Sequence, residues 1–346
     1  MDHAREDVDA AIAEAIGSSR MSPKRVVTFG EASLRLATSD NERLERATTL
    51  SLSVSGPELN MAVATASLGV EVSWVSVLPG SPLGRRILRD AKANGVDVQH
   101  VQMLESGDGR AGLQFVEPGP EPRPTSVHYD VAGSPVSRLR AGTFDWASIL
   151  DGASAFYVSG NTLGISAGAR SEAMEAVRTA RQLGVLVAFD LAYRPDSWSE
   201  GQARQAFVRI IHDVDVLFAS RGSLRTFFGF EGSYESVLHQ AIEKLGVAAV
   251  TVNRRRFKGS RRLTLESMAM GKSELLASTD RRDIEVVDSF GAADAYAAGF
   301  LDGYLENPLG LSRAVSLGAA AAALKCTMPG EFLCASRDEI EALVPD

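Results

Sequence analysis

The sequence is poor in the residues that build stapled or metal-bound domains. Only two cysteines occur in 346 residues, Cys326 and Cys334, with no CxxC and no nearby histidine pair. That excludes a structural zinc site of the usual spacing and points to a reducing, cytoplasmic compartment. No run approaches about eighteen apolar residues, so neither a membrane span nor a membrane partner is expected. Positive charge is also short. With 36 Lys and Arg against 44 Asp and Glu, the net charge of −8 argues against nucleic acid as a partner, which needs clustered cations. The GxxxxGK[ST] loop is missing too, because Glu266 stands where the glycine preceding Gly271-Lys272-Ser273 would have to be. No GxGxxG follows a strand. A nucleotide would have to be held by another device. Residues 1–19 carry acidic side chains and no long apolar run after a basic one, so they are not expected to be a signal peptide.

What remains suits a large mixed domain. Hydrophobic residues make up 45% of the chain and charged ones 23%, and the length suffices for one α/β domain with an appendage. Residues 1–22 are expected to be an extension, with Val8, Ala11, Ile12, Ala15 and Ile16 spaced as in a short amphipathic helix. Beyond it, β-branched runs at 25–29, 72–78, 155–158, 185–189, 214–219 and 248–252 alternate with helical periods at 58–68, 83–94, 169–183, 201–212 and 234–245. That alternation predicts a mostly parallel sheet covered by helices on both faces. Helical patterns at 292–305, 311–324 and 337–343 close the chain. Residues 33–53 and 112–129 read as extended with no helix between, which suits a small antiparallel sheet, either a lid or an edge hairpin. The basic run from Arg254-Arg255-Arg256 through Lys258 to Arg261-Arg262 reads as a solvated loop.

Residues 287–300 are the most informative stretch. A β-like run meets a Gly291-Ala292-Ala293 turn, then Asp294, then a helix of small and aromatic residues. Free N–H groups at a helix start bind anions, and small side chains let a phosphate come close. A carboxylate beside a phosphate is electrostatically costly, so it needs a reason, such as taking a proton from an attacking hydroxyl. The plainer alternative is that Asp294 complements the helix dipole.

This stretch resembles the second signature of the PfkB/ribokinase sugar kinases, Asp-Thr-Thr-Gly-Ala-Gly-Asp-Ala-Phe, with Ala293 in place of the second glycine. The resemblance runs from about Arg25 to Leu343 and is nearest to the 2-keto-3-deoxygluconate kinase branch. It is carried by Val27-Thr28-Phe29-Gly30-Glu31, by Ser55-Gly56-Pro57-Glu58-Leu59-Asn60, and by Arg123-Pro124-Thr125 through Tyr129-Asp130. Further matches are Phe189-Asp190 through Tyr193-Arg194 and Trp198-Ser199, and Leu324-Lys325-Cys326-Thr327-Met328-Pro329-Gly330-Glu331-Phe332.

The resemblance implies a three-layer ribokinase-like α/β/α domain over residues 23–346, with a β-sheet lid from segments near 33–55 and 112–131 that pairs two subunits into a homodimer. It implies ATP and Mg2+ as cofactors and phosphorylation of a sugar acid, with a neutral sugar such as fructose or ribose, or a catalytically weak binding protein, as alternatives. Asp294 would be the base in a catalytic turn with Gly291, Ala292 and Ala293, and the amides of Ala292, Ala293 and Asp294 would hold developing charge on the phosphates. Gly56, Asn60, Gln114, Tyr129 and Arg194 would bind substrate, and Ser220, Asn253, Ala319 and Ala322 the nucleotide. Of these, Asn60 could instead cap a turn, Arg194 could equally form a surface ion pair, and Tyr129 could simply pack in the lid. No protein metal ligand is implied, because the family's Asn-x-x-Glu falls on Ser220-Arg221-Gly222-Ser223, without its carboxylate. Val131, Gln114, Leu191-Ala192 and Ala319 also depart from the pattern.

Overall fold

The computed structural model describes residues 24–39, 41–259, 261–272 and 276–345; the amphipathic segment expected at the start of the chain lies outside them. The described strands are, in chain order, β1 (Arg25–Phe29), β2 (Ser33–Ala37), β3 (Ser51–Ser55), β4 (Glu71–Leu78), β5 (Val101–Met103), β6 (Gly112–Glu117) and β7 (Ser126–Asp130). They continue as β8 (Ala155–Ser159), β9 (Leu186–Asp190), β10 (Val216–Ala219), β11 (Ala249–Phe257), β12 (Arg262–Gly271), β13 (Leu276–Ser278) and β14 (Arg282–Glu285). The helices are α1 (Pro57–Ser67), α2 (Pro82–Ala93), α3 (Trp146–Leu150), α4 (Gly160–Ile165), α5 (Ala167–Gln182) and α6 (Glu200–Ile210), then α7 (Arg221–Phe228), α8 (Tyr234–Leu245), α9 (Ala292–Glu306), α10 (Leu311–Cys326) and α11 (Arg337–Glu341).

Strands covered on both faces are buried along nearly their whole length, as β1, β4 and β8 are, each with a neighbour on both sides in the main sheet. Its order is β13-β12-β11-β10-β9-β8-β1-β4-β5, with β14 also on β12. The pairs from β5 through to β11 are parallel, and those made by β12 are antiparallel. One apolar cluster fills each face. From β1 the chain first builds outward through β4 and β5, then returns to β8 on the other side. Between β1 and β8 the connections therefore diverge, leaving a crevice at the carboxyl ends of the strands.

Two expectations are corrected. The small sheet, ordered β3-β2-β6-β7, is mixed: β2 pairs with β6 in parallel, and only the outer pairs are antiparallel. The helices between β2 and β6 carry the chain back to the starting edge, which makes a parallel pair geometrically possible. The basic run is a loop only in part: Arg254, Arg255 and Arg256 belong to β11 and pair with Glu266, Leu265 and Thr264 of β12, Arg262 starts β12, and Lys258 and Arg261 lie in the connection. A long twisted hairpin needs solvated side chains where it projects beyond its sheet, and arginine serves there as well as in a loop.

Helix starts follow the capping chemistry of the sequence. Ser81, Ser166, Ser199 and Ser233 each accept a backbone N–H three residues on. The α9 helix is apolar around its whole circumference because it lies between the sheet, α1 and α10. Close approach to α10 depends on missing side chains: a Cβ on Gly299 would lie 2.6 Å from the Leu317 carbonyl oxygen, and one on Gly303 2.7 Å from Ala314 Cα.

Candidate active site

The Gly291 turn is shaped by steric necessity. Gly291 has φ 78°, a left-handed conformation, and a Cβ there would sit 2.0 Å from the carbonyl oxygen of Glu331. The N–H of Ala295 closes the first helical bond onto Gly291, and no side chain caps α9. The N–H of Ala292 points at the Ser289 carbonyl, 3.4 Å away. The amides of Ala293 and Asp294, in the first turn, have no carbonyl four residues back within the helix. Of the three amides that the sequence suggested for the phosphates, those of Ala292, Ala293 and Asp294, only the last two are left open at the start of α9. Ala293 lines a cleft of about 1440 Å3.

Asp294 is buried, and Asn60 Nδ2 donates to its Oδ2 at 2.8 Å. The same Nδ2 lies 3.0 Å from Glu331 Oε2, which also accepts from Ser55 Oγ at 2.8 Å. Ser55 Oγ reaches Gln114 Oε1 at 2.8 Å, so Gln114 is tied into this network from the small sheet. Burial drives the Asp294 carboxyl well above the ordinary range; the Asn60 bond opposes that rise and the charges of Asp190 and Glu331 add to it. Glu331 is raised by burial too, against the pull of Arg35. Asn60 Oδ1 is buried beside this carboxylate with no partner among the described residues, an orphaned acceptor of the kind that a ligand hydroxyl could satisfy.

A small cavity of about 30 Å3 lies at the crevice between the carboxyl ends of β1 and β8. Glu31, Gly56, Gln114, Tyr129, Val131 and Arg194 are among its lining residues, and Tyr129 and Arg194 also line the large cleft. The Arg194 guanidinium stacks on the Tyr129 ring at 3.8 Å, so the small sheet closes over the main domain through these two residues. Glu31 is pushed up to about 7 by burial, opposed by Ser134 and Arg194, and its buried Oε1 has no partner among the described residues. Gly56 is required by the backbone behind it, since a Cβ would lie 2.5 Å from the Glu31 carbonyl oxygen.

The large cleft follows the ends of β9, β10 and β11. Asp190, Ser220, Asn253 and Arg255 line it. Asp190 rises to about 7 through burial and the Glu58 charge, held back by Arg255. Ser220 and Ser223 cap α7 and bond each other at 3.0 Å, and Asn253 Oδ1 accepts from Ser267 Oγ at 2.6 Å. Ala319 lies elsewhere, in a pocket of about 280 Å3 with Leu265, Thr279 and Arg282. Ala322 is buried within α10.

Sequence reasoning assigned no role to Glu331, Glu31, Arg35 or Asp288. Arg35 Nη1 binds Asp288 Oδ2 at 2.7 Å, and Asp288 Oδ2 accepts the Gly330 N–H, so this ion pair fastens the α9 turn to the small sheet and to the segment carrying Glu331. A buried arginine in a strand and a glutamate after Pro-Gly were the available signals.

A buried carboxylate at an open helix start, with a cleft on one side and a small polar cavity under a sheet, places a proton acceptor beside amides able to bind an anion. The chain belongs to the pfkB family of carbohydrate kinases, whose model matches residues 23–337. It is 33% identical over 319 residues to the 2-dehydro-3-deoxygalactonokinase of Haloferax volcanii, covering 92% of this chain and 96% of that one. To the 2-dehydro-3-deoxygluconokinase of Bacillus subtilis it is 27% identical, over 88% of this chain and 90% of that one. The crystal structure of 2-dehydro-3-deoxygluconokinase from Thermotoga maritima matches with a TM-score of 0.89 at 29% identity, over 93% of this chain and 98% of that one. The fold is thus ribokinase-like.

Proposed function

We propose that this protein transfers the terminal phosphoryl group of ATP to a primary hydroxyl of a 2-keto-3-deoxy sugar acid of the gluconate or galactonate type. The observation that carries the reading is Asp294, buried at the open end of α9 and held by Asn60. In this reading Asp294 takes the proton of the hydroxyl, whose oxygen attacks the phosphorus. The bond to the bridging oxygen breaks with its electron pair leaving on ADP. The amides of Ala293 and Asp294 stabilise charge developing on the phosphoryl oxygens. Arg194 would hold the acid's carboxylate in a charge-assisted pair.

The cleft fits a nucleotide: it is large, it carries Arg221, Arg225 and Arg255, and its helix end is kept bare by Gly291. For magnesium the described residues offer no cluster of three His, Cys, Asp or Glu side chains. The ion would therefore arrive on the phosphates, where it neutralises their charge. A non-catalytic sugar-binding role is the second reading, favoured by the Ser220–Ser223 bond, which occupies the position where the family carries a carboxylate.

Two unpaired cysteines, and no helix among the described residues able to cross a membrane, support a cytoplasmic location. A homodimer through the small sheet would cover Leu52, which is 40% exposed on β3; sedimentation at two concentrations checks it.

The deciding experiment incubates the protein with ATP, magnesium and either sugar acid, beside fructose and ribose. Turnover with the acids is expected, and Asp294→Asn should lower it by roughly 10^2–10^4-fold while ligands still raise the melting temperature. Binding with no turnover by the wild type would favour the second reading.

A further inference from the structure

Lys325, in the last turn of α10, is fully buried and lines neither the large cleft nor the small cavity. A lysine ammonium out of water is costly, so it persists only with strong partners. Both of its hydrogen bonds go to main-chain carbonyls: Nζ donates to the carbonyl oxygen of Asp288 at 3.1 Å and to that of Met328 at 3.1 Å. Burial works against the charged form, and the neighbouring Asp288 supports it. The ammonium also belongs to the carboxyl end of α10, where positive charge is favoured.

The two carbonyls belong to segments that lie side by side. Asp288 stands three residues before Gly291, and Met328 three before Glu331. The segments meet again farther on. The Gly330 N–H donates to Asp288 Oδ2 at 3.2 Å, and Gly291 comes so near the Glu331 carbonyl that a Cβ would lie 2.0 Å from its oxygen. The Cys326 carbonyl, next to Lys325, accepts the N–H groups of Val287 at 2.8 Å and Asp288 at 3.2 Å. Arg35 Nη1 holds the Asp288 carboxylate at 2.7 Å, and its guanidinium lies 4.6 Å from the centre of the Phe290 ring. One cation thus grips the side chain of Asp288 and another its main chain, at the entrance to the turn that carries Asp294. Two carbonyl oxygens that converge repel each other unless a positive charge stands between them. Carbonyl oxygens can replace the water around a monovalent cation in the same way.

We propose that Lys325 is a tethered cation: its ammonium does the work of a bound monovalent ion, locking residues 288–291 against residues 328–331 so that Asp294 and the open amides keep their places. Lys325 is thereby a positioning residue that touches no ligand, and activity needs no added monovalent salt. The inference rests on the reading of this turn as the phosphoryl-transfer site.

The test compares two variants of the full chain with the wild type, in ammonium chloride and in tetramethylammonium chloride at equal ionic strength. Lys325→Met keeps the length of the side chain without its charge. Lys325→Ala vacates space for an ammonium ion but not for tetramethylammonium. Phosphorylation of the sugar acid with ATP and magnesium is measured beside melting curves. Wild-type kcat should be equal in both salts. Lys325→Met should lose about 10-fold in kcat in either salt, with the KM for the sugar acid within about twofold of wild type, as expected of a group that acts on turnover and not on binding. Ammonium should raise both the kcat and the melting temperature of Lys325→Ala, and neither in Lys325→Met. If Lys325→Ala fails to fold, Lys325→Met decides. Wild-type kcat in Lys325→Met, a loss confined to KM, or a Lys325→Ala variant indifferent to ammonium would each overturn the tether. If the wild type phosphorylates the sugar acid and Lys325→Met equals it, the tether fails and the kinase reading stands. If the wild type phosphorylates no sugar but ammonium selectively restores the melting temperature of Lys325→Ala, the kinase reading fails and the tether stands.

Discussion

Asn60 Nδ2 donates to Asp294 Oδ2 at 2.8 Å, joining the first helix of the domain to the start of α9 across 234 positions of sequence. Burial drives this carboxyl up, and the Asn60 amide opposes that rise by stabilising the ionised form.

That relationship makes the pH profile a probe of Asn60. As the proposed base, Asp294 would have to be ionised to accept a proton, so kcat/KM should rise with pH along an acid limb above the ordinary carboxylate range. Asn60→Ala removes the interaction that lowers this pKa and should move the limb to still higher pH. At neutral pH the loss should be about 10–100-fold, the worth of a hydrogen bond to a charged group. A limb unmoved in Asn60→Ala would mean that another group is the base.

If Arg194 holds the carboxylate as proposed, it should separate acid from neutral substrates. Arg194→Ala should cost about 1.5–3 kcal/mol of affinity for a sugar acid and far less for fructose or ribose. The variant also uncovers the Tyr129 ring, so any loss shared by both sugar types measures the stacking contribution. Equal losses for acid and neutral sugars in a binding titration would leave Arg194 a closure residue only.

Glu31 and Asp190 link stability to pH. Both carboxyls are raised to about 7, from ordinary values of 4.5 and 3.8. Their folded forms hold protons more tightly than the unfolded chain does. Their contribution to stability is therefore full at acid pH and is lost as pH rises through about 7. Glu31→Gln removes the ionisation that burial opposes, so it should raise the melting temperature more at pH 8 than at pH 5. A gain independent of pH would show that Glu31 does not titrate in this window.

The sequence by itself determined the alternation of strands and helices and the Gly-Ala-Ala-Asp turn. Each is written in contiguous residues, where apolar period and glycine chemistry act locally. Expected strands fell close to β1, β4, β8, β9 and β10, and the helical periods to α1, α2, α5, α6 and α8. The parallel β2–β6 pair was not legible, because it depends on how the chain returns to the sheet edge. Nor was the place of the basic run in β11, since an arginine-rich strand that projects into solvent has the composition of a loop. Above all, only the tertiary structure decided that Glu331, Asn60, Ser55 and Gln114 meet around Asp294. Buried carboxylates become neighbours through packing of distant segments. Their raised proton affinities come from the water that this packing removes, which no local pattern of residues records.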